Sequence, residues 1–223
     1  KDSTVLLDIA RKICPDIPAM FVDTGLEYPE IRAFALQQEN VQRVFPRYGH
    51  AGKRNGKHHT ERFMFQDVLS IYGYPLISKE VSHSICGARN GYNAGRFNFA
   101  IMKMTGNGVN AGGPFDQTKW LPVMELPIMI SDNCCLAMKK RPAKKFVKES
   151  GRQPITGQTA TESKLRRLQW LKNGCNGFDM KSPVSNPMAF WREGDILEYI
   201  VRYDLPICSV YGNVRKDEKS GEY

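Results

Sequence analysis

Two adjacent cysteines, Cys134 and Cys135, offer the most distinctive chemistry in this chain. Their Cα atoms lie about 3.8 Å apart across a trans peptide, closer than a disulfide normally spans. They can ligate a metal or cluster, or they form a pair of buried free thiols. Basic residues follow them: Lys140, Lys144 and Lys148 recur at helical spacing, with Lys139, Arg141 and Lys145 alongside. Such a face is either solvated or attracts a polyanion. Near the start, Lys1-Asp2-Ser3 opens an amphipathic stretch. A helix beginning there directs its first amides, and the positive end of its dipole, at an incoming anion; Asp2 and Ser3 are equally plain capping residues. Asp23-Thr24-Gly25 closes a short apolar run. A carboxylate at a strand's carboxyl end accepts hydrogen bonds from ribose or adenine, or it simply forms a turn. A fourth group lies in ITGQTATESKLR, residues 155–166. Gly157 admits close backbone approach to a ligand. Glu162 and Ser163 cap a helix or hold a ribose, and Arg166 offers a fork to phosphate or sulfate.

Together these segments carry a resemblance. KDSTVLLDIARK followed by FVDTGLEYPEI resembles the phosphoadenosine phosphosulfate (PAPS) reductase family, within the adenine nucleotide alpha-hydrolase-like superfamily. That family opens with a Ser-Gly-Gly-x-Asp-Ser phosphate loop, of which Lys1, Asp2 and Ser3 match the second half. Its Asp-Thr-Gly and Pro-Glu signature stands here as Asp23-Thr24-Gly25 and Pro29-Glu30. The run from Cys134 to Pro142 resembles the Cys-Cys-x-x-Arg-Lys-x-x-Pro segment of cluster-containing sulfonucleotide reductases. Lys139 and Pro142 match it, while Met138 replaces its Arg. The segment 156–166 is similar to the family's Thr-Gly-x-x-x-x-Glu/Gln-Ser-x-x-Arg, with Thr159 where an Arg is usual. NPMAFWREGDILEYIVRY, residues 186–203, also resembles the family, with Trp191, Ile196 and Ile200 as core.

The resemblance implies an enzyme that binds an adenine nucleotide (PAPS, APS or ATP) and reduces activated sulfate to sulfite through thiol chemistry in sulfate assimilation. It implies nucleotide contacts at Lys1, Asp2, Ser3, Asp23, Thr24, Gly25, Lys139, Gly157, Glu162, Ser163 and Arg166. It further implies a [4Fe–4S] cluster on Cys134 and Cys135, with its other two ligands in a Cys-x-x-Cys pair expected beyond Tyr223. The nucleophilic cysteine of the family lies in a C-terminal tail, so none of the six cysteines is assigned that role. A thioredoxin-like protein is the implied electron donor. The alternatives are an ATP pyrophosphatase-type sulfurtransferase acting on nucleic acid, and a non-catalytic nucleotide-binding module.

Stepwise apolar patterning supplies the elements that must position these groups. Val5, Leu6, Ile9, Ala10 and Ile13 form one stripe of a helix over 3–14. Residues 17–22 read as a buried strand, and Pro29 opens a helix to about Gln38. A second strand follows at 41–45. This alternation predicts an α/β fold, a Rossmann-like doubly wound parallel sheet whose first strand is missing. A helix is expected from Ser78 to Arg89, and a loop-like Gly/Asn-rich stretch from 87 to 113. Further on, a basic helix is expected to Ser150, a short strand at 154–156, a helix over 161–171 and a last helix from Gly194 to Tyr203. Ile196, Leu197, Ile200 and Val201 face inward in that last helix. The whole reads as one nucleotide-binding domain over 1–223, with an insertion or mobile region at 47–129.

Composition bounds the rest. With 41% hydrophobic and 25% charged residues, the 223-residue chain is ordinary globular material, not disordered or collagen-like. No apolar run approaches the roughly 20 residues a bilayer requires. Six cysteines are too few for a disulfide scaffold, which favours a reducing cytoplasm. The formal charge of +9 suggests anionic partners. A nucleotide accounts for the basic helix and Arg166, whereas the basic stretch Arg47 to Arg62 keeps nucleic acid as the alternative. His50, His58 and His59 in that stretch fit no closed zinc spacing and read as surface residues. The start at Lys1 inside a motif points to a fragment truncated at both ends, expected to bind nucleotide weakly and not to turn over.

Overall fold

The structure is a computed structural model that describes residues 1–47, 62–217, 221 and 223. In chain order it contains α1 (Asp2–Ile13), β1 (Ala19–Val22), α2 (Pro29–Gln37), β2 (Val41–Val44), α3 (Phe65–Tyr72), α4 (Lys79–Asn93) and α5 (Phe99–Thr105). Then come α6 (Leu121–Met124), α7 (Asn133–Cys135), a π-helical turn (Leu136–Lys140), α8 (Arg141–Ser150) and α9 (Lys164–Asn173). β3 (Asn176–Gly177), β4 (Val184–Ser185) and α10 (Glu193–Arg202) complete the chain. The residues form two compact units. One comprises Lys1–Asp23, Glu27–Val44 and Lys144–Tyr223; the other comprises Thr24–Leu26 and Phe45–Ala143.

The first unit is built on α1 and α10. Val5 and Leu6 pack against Met188, Ile196 and Ile200, with Ile9, Trp191 and Leu197 at the margin. Ile196 and Ile200 are core, as the sequence suggested, whereas Trp191, expected there too, is only partly buried at the core's edge. Two residues of the expected apolar stripes are not: Ile13 is 82% exposed and Val201 44%. At that end of α1 the contact with α10 is polar instead. Lys12 lies 4.0 Å from the centroid of the Tyr203 ring and donates a hydrogen bond to the Tyr199 hydroxyl. That hydroxyl in turn donates to Asp8 at 2.6 Å.

β1 and β2 pair in parallel, with Ala19 opposite Val41 and Val22 opposite Val44, and α2 is their crossover. Pro29 begins α2, where its missing N–H costs nothing. The α/β class therefore stands. The wider doubly wound sheet is not seen among the described residues, where the named sheets are this pair and the antiparallel β3–β4 pair. The strand expected at 154–156 is a single parallel bridge, Ile155 to Ser185. The expected 161–171 helix is broken at Ser163, whose extended backbone separates a 3-10 turn (Ala160–Glu162) from α9.

The second unit buries Val81, Ile85, Ala88, Ile101, Met104 and Ile130 between α4, α5 and the following chain. The Gly/Asn-rich stretch departs from its loop-like expectation at 87–93 and 99–105, which lie in α4 and α5, while 106–113 is turn and loop as expected. Asn98 caps α5 by accepting from the Ile101 amide, and Gly106 ends it in the left-handed conformation (φ 76°). These polar residues are helix punctuation. Beyond them Asp116 accepts hydrogen bonds from the amides of Gly112 and Thr118. These bonds, led by that from Gly112, hold its carboxyl down at about 2. Among the described residues no helix is long and apolar enough to cross a membrane. The stretch 48–61, with His50, His58 and His59, lies outside the described residues.

Three outcomes are expected. Ile85, fully buried, becomes a cavity in Ile85→Ala, which lowers unfolding free energy by about 2–5 kcal/mol in urea titration. The exposed Leu165→Ala leaves it within about 0.5 kcal/mol. Asp116 has a folded-state value below its ordinary 3.8, so its bonds to the loop are complete above that pH and are lost as pH falls through about 2. The NMR amide signals of Gly112 and Thr118 therefore titrate together with a midpoint near pH 2. A midpoint near 3.8 means that these bonds do not form in solution.

Candidate functional site

In the first unit, the start of α1 meets the segment after Pro154. Lys1 occupies the N-cap and no side chain caps the helix. The expectation that Asp2 or Ser3 caps is thus corrected. The helix begins one residue earlier than expected, and the Asp2 carboxylate accepts from Lys1 Nζ at 3.2 Å. Ser3 is exposed in the first turn. The first intrahelical bonds run from Thr4 and Val5 to the Lys1 carbonyl, so the amides of Asp2 and Ser3 lie beyond the helix's own ladder.

Gly157 has a different neighbour from the one its type suggested. A Cβ there would lie 3.1 Å from the carbonyl carbon and oxygen of Asp2 and 3.2 Å from the Ser3 nitrogen. The close approach it permits is to the backbone of α1. Two residues on, the buried Thr159 opens a capping box, its amide donating to Glu162 Oε1 at 2.9 Å. Ser163 caps α9 by accepting from the Arg166 amide. Arg166 forms an ion pair with Glu162. Its guanidinium, expected to meet phosphate or sulfate, therefore has a carboxylate partner within its own segment.

Lys1, Asp2, Thr159, Thr161, Glu162, Glu193 and Ile196 line a cleft of about 170 Å³. Sites for whole small molecules usually exceed about 300 Å³, so this cleft suits an anionic tail or one sugar rather than an entire nucleotide. Lys1 Nζ also lies 2.8 Å from Glu193 Oε1. Burial of Lys1 opposes its charge, but the bonds to Glu193 and Asp2 outweigh this and raise its pKa. The same bond lowers that of Glu193. Thr161 and Glu193 escaped the sequence reading. The only hint for Glu193 is its place just before the helix-opening Gly194-Asp195, and its partner stands 192 residues away.

Asp23 belongs to the same unit but does not line the cleft. It is completely buried at the end of β1. Its Oδ2 accepts from Arg43 Nε at 2.8 Å and lies 3.4 Å from Arg32 Nε. A carboxylate held between β2 and α2 is tying the parallel pair to its crossover helix.

The second unit holds Thr24, Gly25, Lys139 and the cysteine pair. Thr24 Oγ1 accepts from the Leu26 amide, and Gly25 takes a φ of 83° that favours glycine. Cys134 packs against the cluster of Phe63, Val68, Ala137 and Met138. The π turn after Cys135 has a local cause. Pro142 has no amide for the Met138 carbonyl, and its ring would clash with that carbonyl in a regular helix. The chain widens instead, with the Arg141 amide donating to Leu136 five residues back. Lys139 is exposed. A [4Fe–4S] cluster takes four thiolates. Among the described residues no group of three or more His, Cys, Asp or Glu side chains is placed to hold a metal. The residues described do not complete such a site.

The sequence profile of the phosphoadenosine phosphosulfate reductase domain matches residues 1–66 and 95–214. The match includes Lys1–Ser3, Asp23–Gly25, the cysteine pair and residues 155–166, and it leaves out 67–94, where most of α3 and all of α4 lie. No curated protein matches the chain.

The geometry gives two further expectations. Gly157→Ala forces the α1 backbone aside and lowers unfolding free energy by about 1–3 kcal/mol; unchanged stability would show that the contact at 3.1 Å is not made. Asp23→Ala removes the carboxylate that Arg32 and Arg43 share. It should cost roughly 3 kcal/mol in denaturant titration, the lower end for a buried pair because both arginines reach solvent.

Proposed function

We propose that this chain, which belongs to the phosphoadenosine phosphosulfate reductase domain family, binds an adenine nucleotide carrying an activated sulfate and takes part in reducing that sulfate to sulfite. One observation carries the reading. The helix start at Lys1 and Asp2 and the residues Thr159, Thr161 and Glu162, distant in sequence, share one cleft sized for an anionic tail. The α1 dipole and the Lys1 ammonium supply the attraction. The Ser3 hydroxyl and the first amides of α1 supply hydrogen bonds to the tail's oxygens. By family likeness, the parallel pair forms part of a Rossmann-like doubly wound sheet.

The reaction consistent with this reading is a two-electron thiol reduction. A thiolate attacks the sulfate sulfur, and the S–O bond to the nucleotide phosphate breaks with its electron pair leaving on the phosphate. A second thiol then attacks the S-sulfonated cysteine, expelling sulfite and forming a disulfide. A thioredoxin-like dithiol is the proposed reductant of that disulfide. This chain's contribution is to hold the nucleotide's tail and orient it for attack. The nucleophile is not assigned to any of its cysteines.

The test is calorimetric titration with adenosine 5′-phosphosulfate and its 3′-phosphorylated form, joined to product assays with a dithiol donor. Ser3→Ala should weaken binding about tenfold, the loss of one hydrogen bond to a charged group. Because Ser3 caps nothing, helicity should not change. Unchanged affinity in Ser3→Ala removes the Ser3 hydroxyl at the start of α1 from the nucleotide site. Pyrophosphate release from ATP in place of sulfite from the sulfonucleotide replaces the reaction with adenylation.

A further inference from the structure

The charges of the cleft are unequal in their surroundings. The Lys1 side chain is 21% exposed, whereas that of Glu193 is 70% exposed. A cation so enclosed needs a counter-charge close by. An acid in water loses little by leaving its partner, since pairs of this exposed kind are weak. Nor does α10 depend on Glu193. The cap of that helix comes from Asp195, whose carboxylate accepts from the Arg192 amide at 2.7 Å. The first turns of α1 and α10 both line the cleft, through Asp2 and Ile196 among others. Two helix starts thus add their positive potential there. In that setting Glu193 holds the Lys1 ammonium from the solvent side, where an anionic group would approach.

We propose that Glu193 is a specificity-determining residue, a displaceable counter-ion that any anionic tail must replace at Lys1. The inference rests on the reading of the cleft as the nucleotide's anion site. Displacement sets a threshold. A neutral nucleoside gains nothing at Lys1, and an anion gains only the surplus of its own contacts over those of Glu193. Asp2, 3.2 Å from Lys1 Nζ, stays in place during the exchange. Together with Glu162 it keeps weakly charged groups from entering.

Binding of adenosine 5′-phosphosulfate, adenosine and inorganic sulfate is measured by calorimetry for the natural chain, Glu193→Gln and Glu198→Gln. Glu198 sits on the same helix, paired with Arg202, and reports the effect of charge alone. Glu193→Gln should tighten both anions about fivefold, leave adenosine unchanged and preserve helicity. Glu198→Gln should change no affinity by more than about twofold. Equal or weaker anion binding in Glu193→Gln overturns the proposal, because Glu193 would then be positioning Lys1. Equal tightening in both variants also overturns it, because only bulk charge would be at work. Sulfate tightening without nucleotide binding upholds the exchange and refutes the nucleotide reading. Nucleotide binding unaffected by Glu193→Gln does the reverse. No response to any probe in any variant overturns both.

Discussion

Everything the first unit positions depends on one contact, the packing of α1 on α10. Val5 and Leu6 fit among Met188, Ile196 and Ile200. Burying such side chains stabilises by about 1.5–3 kcal/mol each, far more than the exposed ion pairs around them. Polar contacts flank this packing at both ends. Lys1 meets Glu193 at the cleft, and Asp8, Lys12 and Tyr199 meet at the other end. Gly157 adds a third surface by letting a loop lie against the first turn of α1. The cleft is the gap between these three surfaces.

The cations around Asp23 and the cleft are committed to carboxylates. Arg43 and Arg32 serve Asp23, Arg166 serves Glu162, and Lys1 serves Asp2 and Glu193. A net charge of +9 read from composition suggests open attraction for anions. The structure replaces that picture, at the cleft, with cations already neutralised by nearby carboxylates. Selectivity there turns on exchange between partners, and less on the long-range field.

The helices and the parallel pair were legible because each carries its own signal. Pro29 marks a start, the apolar run before Asp23 marks a strand, and the spacing of Ile196 and Ile200 marks an inward face. The Gly/Asn-rich stretch misled because Asn98 and Gly106 are cap residues as well as loop residues, and composition alone does not separate the two. Gly157 was expected to approach a ligand and instead lies against the backbone of α1, because sequence has no means of naming the neighbour. Partnerships were the hardest to see. Asp23 looked like a ligand group because nothing local announces Arg43, and Glu193 was passed over because its meaning depends on a residue at the far end of the chain. The π turn was equally hidden, since the sequence reads as one basic helix running from the cysteine pair to Ser150.

The first unit is assembled from both ends of the chain, whereas the second is nearly one continuous stretch, Phe45–Ala143. On a ribosome the two therefore have different timetables. α1 emerges before the middle stretch but cannot bury Val5 and Leu6 until Ile196 and Ile200 arrive, roughly 190 residues later. At about 5–20 residues per second that is a delay on the order of 10–40 s. The middle stretch can close during that interval. The apolar side of α1 meanwhile stays open to chaperones and to other nascent chains, so aggregation risk should concentrate at α1 and be highest when translation is slow.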